Sequence, residues 1–580
     1  MSKRRTAMAG LDTSAVALLL VEFGRRMELA GENPYRARAY FKAAESLRAL
    51  TEPLEKLVAE GRLLEIPGVG EGIAERISVL QRSGTHPKLE TLRAQVPAGV
   101  LEMLDIPGMR ADRVLKLHKE LGVASLEQLE QAARADRLKD IKGLGPALQR
   151  KILEGLEILR RGQGQRHVHR AAALLEAAQA NLKKSHPELR RVTAAGEFRR
   201  GCEVVSDLSL VAERQDGKPA AQVLTLGQTT VHAVAPAHYG CALLFATGSA
   251  PHLQELQKFA ADKGFTLDAS GLRRGKRHIA CKDEKALYAA LGLKFIPPEL
   301  REGRGEIALA AANKLPALVT DGDIRGILHA HTELSDGVHT LRQMAEATRT
   351  RGYSYFGVAD HSQSAGYAGG LSQDEIAAQH AEIEQLNKKT RGTFHIFKGI
   401  ESDILADGAL DYPDEVMQTF DFVVASVHSR FRLDKETQTA RLLRAVENPC
   451  TTILGHLTGR QLLRRHGYDI DVERVLQACA RHGVAVEINA NPYRLELDWR
   501  WHQRALELGC MLSINPDAHS TSEIDLTHWG VQIARKGGVP KDRVLNCLEL
   551  PAFRKYLQQR KRTKVLMPAK RPRGSRRGSG

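Results

Sequence analysis

The sequence predicts a multidomain chain with an all-α N-terminal region and a C-terminal barrel of parallel strands alternating with helices. Three observations predict it. A chain of 580 residues is too long for a single hydrophobic core. The first 165 residues repeat a short glycine-containing turn three times, each copy followed by an amphipathic helical pattern. Toward the C-terminus, seven apolar runs are separated mostly by charged, amphipathic helical stretches.

The three turns read Ile66-Pro-Gly68-Val-Gly70, Ile106-Pro-Gly108-Met-Arg110 and Ile141-Lys-Gly143-Leu-Gly145. Glycine permits positive φ and lets backbone amides approach a phosphate, and the N-terminus of the following helix favours negative charge. This is the logic of the helix-hairpin-helix, a sequence-independent grip on the DNA backbone. Gly68, Gly70, Gly108, Gly143 and Gly145 are therefore candidate DNA-binding positions. One such turn more often merely joins two helices; three in a basic, helical context point to DNA. In the second copy Arg110 stands where the second glycine belongs.

The seven apolar runs are Ile327-Leu328, Phe356 to Ala359, Phe394 to Ile400, Phe422 to Ala425, Thr452 to Leu454, Val484 to Ile488 and Met511 to Ile514. At or just beyond the ends of six of them stand nine metal-ligand-type side chains: His329, His331, Asp336, His361, Glu401, His428, His456, Asp517 and His519. Only the sixth run ends without one. Strand ends of a β/α barrel are where such folds display catalytic groups. A single histidine after a strand is more often an ordinary surface or core residue. Three compact motifs change that weighting: His329-Ala-His331, Asp360-His361-Ser362 and Asp517-Ala-His519. Residues i and i+2 of a strand face the same way, so HxH and DxH present two donors to one site. Imidazole with carboxylate suits Zn²⁺, Mn²⁺ or Fe²⁺. Clustered divalent ions activate water and clamp a phosphoryl group, so phosphoester hydrolysis is the expected reaction. No nucleophilic cysteine or serine is then required, and the seven cysteines form no CxxC pair. Arg430, Arg460 and Arg494 lie in loops just after barrel strands, and at least one is expected to bind phosphate.

A formal net charge of +16 and a pI near 9.5 favour a polyanionic partner. Charge alone does not separate nucleic acid from an anionic membrane. No apolar run approaches the roughly 20 residues of a membrane span. Met1-Ser-Lys-Arg-Arg is not followed by a signal-peptide core, so a cytosolic protein is expected. The segment from Arg560 to Gly580 is dense in positive charge and poor in apolar residues, which predicts a disordered tail with salt-sensitive attraction to DNA.

From about Asp323 to Leu557 the chain resembles the PHP (polymerase and histidinol phosphatase) domain, in the version carried by bacterial family X DNA polymerases. The segments GILHAHTELSDG, KGIESDI, VVASVHSRF and INPDAHS carry the resemblance. It implies a distorted (β/α)7 barrel holding three divalent ions, Mn²⁺ or Zn²⁺ or, as a further alternative, Fe²⁺, with Glu401 bridging two of them. It assigns His329, His331, Glu401 and Asp517 to one ion, Glu401, His428 and His456 to a second, and Asp336, His361 and His519 to the third. Of these, His329, His331, Glu401, His428 and Asp517 are expected to be catalytic.

The resemblance extends toward the N-terminus. Residues from about Leu11 to Gly84, including Asn33-Pro-Tyr-Arg-Ala-Arg-Ala-Tyr40, resemble the lyase-type domain of family X polymerases. The lysine that serves that reaction is matched by Arg76, which stays protonated and cannot be an amine nucleophile. Residues 166–316 resemble the family's α+β nucleotidyltransferase palm and thumb, through Gly196-Glu-Phe-Arg-Arg200 to Asp207-Leu-Ser209 and through Thr247-Gly248-Ser249. That chemistry needs three aspartates around two Mg²⁺ ions. Only Asp207 is present: Ser209 replaces the second, and Thr230-Val-His-Ala-Val234 offers no third. Glu197 stands where a serine would meet the triphosphate, and Leu253 stands near a base-contacting asparagine.

The expected organisation is a helical domain at 1–85, a fingers-like helical domain at 86–165, a degenerate palm and thumb at 166–316, the barrel at 317–559 and the tail at 560–580. The expected function is 3′-to-5′ exonucleolytic phosphodiester hydrolysis in repair, with 3′-end cleaning or abasic-site incision as related chemistry. Gapped, nicked or 3′-ended DNA is the expected partner, with no membrane; the protein is expected to be a monomer. A gap-filling polymerase, a phosphatase of a small ester and a noncatalytic DNA-binding scaffold are the alternatives.

Overall fold

The computed structural model describes residues 11–565, apart from 49, 51, 142, 216–221 and 391. The chain divides into two compact units at Gln163/Gly164. No helix among the described residues is long and apolar enough to cross a membrane.

The first unit is helical throughout, from Thr13–Leu29 to Pro146–Arg161. Side-chain caps start several helices: Asp12 accepts from the Ala15 amide at 2.7 Å and Ser125 from Gln128 at 3.3 Å. Two cores form, one around Leu20, Phe23, Tyr40, Ile77 and Leu80, the other around Met103, Ile106, Val114, Leu117 and Ile152. In all three glycine turns the first glycine takes a left-handed φ: +80° at Gly68, +78° at Gly108 and +88° at Gly143. The second position is extended in all three and caps the next helix, with φ −93° at Gly70, −122° at Arg110 and −73° at Gly145. Arg110 is therefore conformationally equivalent to the glycines it replaces, and the second hairpin keeps its shape. Arg76 donates to the Gly72 carbonyl at 2.6 Å and lies 5.8 Å from the Phe23 and Tyr40 ring centres.

The second unit begins with the helix Val168–Ser185 against a four-stranded sheet. The strand order is Leu189–Ala194, Leu208–Arg214, Thr229–Val234, Gln222–Leu226, with the central pair parallel and the outer pairings antiparallel. The helices Tyr239–Thr247 and Ala250–Asp262, a small antiparallel sheet over 266–279 and the helix Glu284–Ala290 follow. Arg301 is fully buried there and is neutralised by Glu284, which also takes two bonds from Arg199 at 2.9 and 2.6 Å.

The barrel is built as the apolar runs foretell, with one complication in the third. That run splits at Lys398: His395–Phe397 pairs with Tyr355–Gly357, while Gly399–Asp403 pairs with Phe422–Ser426. All pairings are parallel, in a three-stranded and a five-stranded sheet. The split is spanned by the Glu401 amide donating to the Asp360 carbonyl at 3.0 Å. First and last strands close through the Ala330–Ala518 bridge, where the His331 amide donates to Ala518 at 2.8 Å. Helices such as Leu341–Thr350, Lys435–Glu447 and Val472–His482 pack outside.

The helix Leu550–Val565 packs Phe553 on Tyr355, with ring centres 4.9 Å apart and planes 6° from parallel. This corrects the expected start of the tail. Arg560 donates to the Thr451 carbonyl at 2.6 Å and the helix runs on to Val565; the rest of the expected tail lies outside the described residues. The α+β segment is bonded to the barrel by three acids. Glu302 takes Arg200 at 2.9 Å and Lys536 at 2.5 Å, Glu203 takes Arg500 and the Trp499 indole at 3.1 Å each, and Glu299 takes Arg535 at 2.7 Å.

Candidate metal centre

The barrel strands deliver the nine donors to one end of the barrel. Glu401, 1% exposed, lies at their centre. Its Oε1 is 3.3 Å from His329 Nε2, 3.3 Å from His428 Nε2 and 3.0 Å from His456 Nε2, and its Oε2 is 3.0 Å from His361 Nδ1. Asp517 Oδ1 lies 3.1 Å from His331 Nε2 and 3.5 Å from His329 Nε2. Asp336 Oδ1 sits 3.3 Å from His519 Nε2 and 3.6 Å from His361 Nε2.

Seven of the nine donors form three overlapping groups, each with its ligand atoms within 4.8 Å of one another: His331, Asp336, His361 and His519; His329, His331 and Glu401; and His361, Glu401 and His428. His331 and His361 each appear in two groups. An imidazole has two nitrogens, and here each faces a different carboxylate.

The backbone is drawn tight around the cluster. His329 and Asp517 take left-handed φ values of +56° and +53°, immediately before the Ala330–Ala518 bridge. Such conformations cost energy in residues with a Cβ and recur at functional sites.

The electrostatics are those of mutually stabilised charges. Burial opposes a charged imidazole at His361, yet Glu401 and Asp336 outweigh it and hold His361 up at about 10. By the same balance His428, facing Glu401 and Asp403, and His519, facing Asp336 and Asp517, are held at about 9. Burial, with His361 and His519 adjacent, pushes His331 down to about 4. Despite burial, His428, His329 and His361 keep Glu401 well below the usual carboxylate range.

The donor set fits divalent cations. His329 Nε2, His331 Nδ1 and His361 Nδ1 are buried nitrogens that face carboxylate oxygens without a hydrogen bond. Nitrogen and carboxylate donors converging in this way suit an ion between them.

Four residues to which sequence reasoning assigned no role of their own hold the donors in place. Glu487 Oε1 lies 2.5 Å from His329 Nδ1, and its Oε2 accepts from the His456 amide at 2.7 Å. Asp403 is 2.6 Å from His428 Nδ1. Asn489 donates to Asp517 at 3.1 Å. Asp360 accepts from the Thr332 amide and the Ser335 hydroxyl at 2.6 Å each, fixing the loop that carries Asp336. A signal for two of them was present: Glu487 and Asn489 are polar residues at i and i+2 of an otherwise apolar strand.

The three loop arginines separate. Arg460 is spent on Asp498 at 2.7 Å and on the carbonyls of Arg494 and Leu495. Arg430 is exposed. Arg494 points inward, with Nε 3.8 Å from Asp517 Oδ2.

The chain is 32% identical over 559 residues to the DNA polymerase/3′-5′ exonuclease PolX of Bacillus subtilis (strain 168), covering 92% of this chain and 97% of that protein. The chain belongs to the PolX family. Within this PolX-family chain, models described as a helix-hairpin-helix domain, a SAM-like helix-hairpin-helix tandem and the DNA polymerase beta thumb match residues 13–86, 100–157 and 242–302. Probable phosphatases of Thermoanaerobacter sp. (strain X514) and Caldanaerobacter subterraneus subsp. tengcongensis are 26% and 25% identical over 245 and 254 residues. They match over 40% and 41% of the PolX-family chain and 94% of their own lengths.

The second candidate site of this PolX-family chain, in the α+β segment, is differently furnished. Asp207 accepts from the Glu197 amide at 3.1 Å, and Gly196, with φ +66°, leaves no room for a Cβ beside that carboxylate. Ser209 is buried and registers with Thr230 on the parallel neighbour, so neither member of that pair supplies a carboxylate beside Asp207. The Glu197 carboxylate takes the Ser206 amide and hydroxyl at 2.7 Å each. Arg200 donates to the Thr247 carbonyl at 2.7 Å as well as to Glu302. Gly248 precedes Ser249, whose hydroxyl caps the next helix by accepting from the His252 amide at 3.3 Å.

Proposed function

We propose that this chain is a metal-dependent phosphodiesterase that shortens DNA from its 3′ end at the barrel site, with 3′-end cleaning and abasic-site incision open to the same chemistry. The observation that carries the reading is Glu401, a buried carboxylate met by His329, His361, His428 and His456 within 3.3 Å. In this reading the nine side chains hold three divalent ions, Mn²⁺ or Zn²⁺ or, as a further alternative, Fe²⁺, in the groups that the family resemblance assigns. Bound there, the ions would activate water and clamp the attacking and leaving oxygens of a phosphoryl group. Asp403 and Glu487 orient His428 and His329, and Arg494 receives a phosphate oxygen. The helix-hairpin-helix turns hold the DNA backbone, in the cytosol.

The α+β segment is read as a DNA-holding relic of a polymerase. Asp207 without its partners, Glu197 on the Ser206 amide and Arg200 engaged by Glu302 all support that reading. The test is a 5′-labelled gapped or 3′-tailed DNA with Mn²⁺, comparing wild type, His331→Ala and Asp207→Ala, with dNTPs in a parallel lane. Stepwise shortening lost only in His331→Ala is expected. Extension lost in Asp207→Ala would overturn the relic reading, and no shortening by wild type would overturn the nuclease.

A further inference from the structure

Tyr367 stands beside the donor cluster and is largely exposed. Its ring centre lies 6.1 Å from that of His361 and 6.3 Å from that of His428, yet the residue is 72% exposed. The loop that carries it is anchored. It leaves the barrel after His361 and returns to it, with the Leu371 amide donating to the His361 carbonyl at 2.9 Å. Inside the loop Ala365 donates to Ser362 and Ala368 to Ala365, at 2.9 and 2.8 Å. From outside, Tyr412 and Asp411 accept from the Gln363 and Ser364 amides at 3.0 and 2.7 Å. Ala365, Ala368 and Leu371 are buried, so the loop already has its apolar footing without Tyr367.

The surroundings of Tyr367 narrow what it meets. Val338 and Leu334, on the neighbouring loop around Asp336, are also exposed, at 68% and 38%. The two loops touch: a Cβ on Gly369 would lie 3.4 Å from the Ser335 carbonyl. Val338 is held in place by its amide, which donates to the His519 carbonyl at 2.8 Å. The rim of a site whose floor is all carboxylate and imidazole is thus aromatic and aliphatic on the His361 side. A compact phosphate ester has nothing to offer such a rim. A nucleotide does, because its flat base lies one sugar away from its phosphate.

We propose that Tyr367 is the stacking platform for the base of the 3′-terminal nucleotide, holding an unpaired DNA end over the cluster while its phosphodiester reaches the donors below. The inference rests on the nuclease reading above and adds the residue that positions the substrate, by letting its terminal base lie on the ring. Stacking of this kind is sequence-tolerant, since every base has a π-face.

The test uses full-length protein with Mn²⁺ and two 5′-labelled 3′-tailed DNAs, one ending in an ordinary nucleotide and one in an abasic tetrahydrofuran residue. Tyr367→Ala should raise KM about 10-fold on the base-ended DNA, leave it unchanged on the abasic end, and leave kcat close to wild type on both. Tyr367→Phe should behave as wild type, because the ring and not the hydroxyl is used. Equal effects of Tyr367→Ala on the two ends, no effect on either, or a loss in Tyr367→Phe would overturn the platform. Shortening of neither DNA by wild type would overturn the nuclease reading itself, and the platform with it.

Discussion

Glu487 Oε1 lies 2.5 Å from His329 Nδ1, with both side chains fully buried, and it comes from Ala485–Asn489, a barrel strand that supplies none of the nine donors. The contact fixes which nitrogen of His329 faces Glu401 and Asp517. Partners of this kind commonly contribute 10–100-fold to metal affinity. Glu487→Gln should therefore weaken Mn²⁺ binding by roughly that factor while the barrel stays folded. Calorimetric titration with Mn²⁺ and a far-UV melting curve check the two halves; unchanged affinity would remove Glu487 from the support of the site.

Metal uptake should release protons. His361 is held at about 10, and His428 and His519 at about 9, so all three carry protons at neutral pH before a cation replaces them. The sign follows: a cation must displace these protons, so affinity rises with pH and falls as the solution is acidified from about 9. Titrations at pH 7 in two buffers of different ionisation enthalpy should yield different apparent enthalpies. Identical values would mean that the imidazoles bind already neutral.

How much of this was legible in the sequence can be argued residue by residue. His329-Ala-His331 and Asp517-Ala-His519 were visible because paired donors follow apolar runs, although the left-handed His329 and Asp517 show that the motifs lie just beyond the strands and do not continue their two-residue repeat. The break in the third run was not: Lys398 and Gly399 interrupt the apolar residues there, but the change of pairing partner is a tertiary event. Arg560 read as tail because its neighbours are basic. The helix nevertheless continues, since Phe553 and Leu557 bury against the barrel and carry the turns after them. Arg460 and Arg494 looked alike in sequence, and their partners, Asp498 for the one and Asp517 for the other, tell them apart.

Acid should loosen the α+β segment through Glu284. Burial would raise its pKa, but Arg199 and Arg301 outweigh that and hold it at about 2. The folded value lies below the unfolded one of about 4.3, so the contribution is full above about pH 5 and is lost as pH falls through the folded value. Two units correspond to roughly 3 kcal/mol at neutral pH. Glu284→Gln should lower the urea midpoint at pH 7, leaving Arg301 buried without its counter-charge, and the gap from wild type should narrow toward pH 3. A gap constant with pH would assign the loss to packing.

The helix-hairpin-helix glycines should separate conformation from contact. Gly68 has φ +80°, and a Cβ there would meet Lys42 Cγ at 2.9 Å; Gly70 has φ −93°, and a Cβ would find nothing within 4 Å. Gly68→Ala should then cost about 1–2 kcal/mol of stability, whereas Gly70→Ala should leave the melting curve where it is. Arg110, in the same extended conformation in the second hairpin, shows that a side chain is tolerated at this position. If the Gly70 amide approaches a DNA phosphate, the added methyl blocks that approach from the outside. Fluorescence anisotropy with duplex DNA at fixed salt should then report weaker binding for Gly70→Ala at unchanged stability. Wild-type binding by Gly70→Ala would place the phosphate contact of the first hairpin elsewhere on the turn.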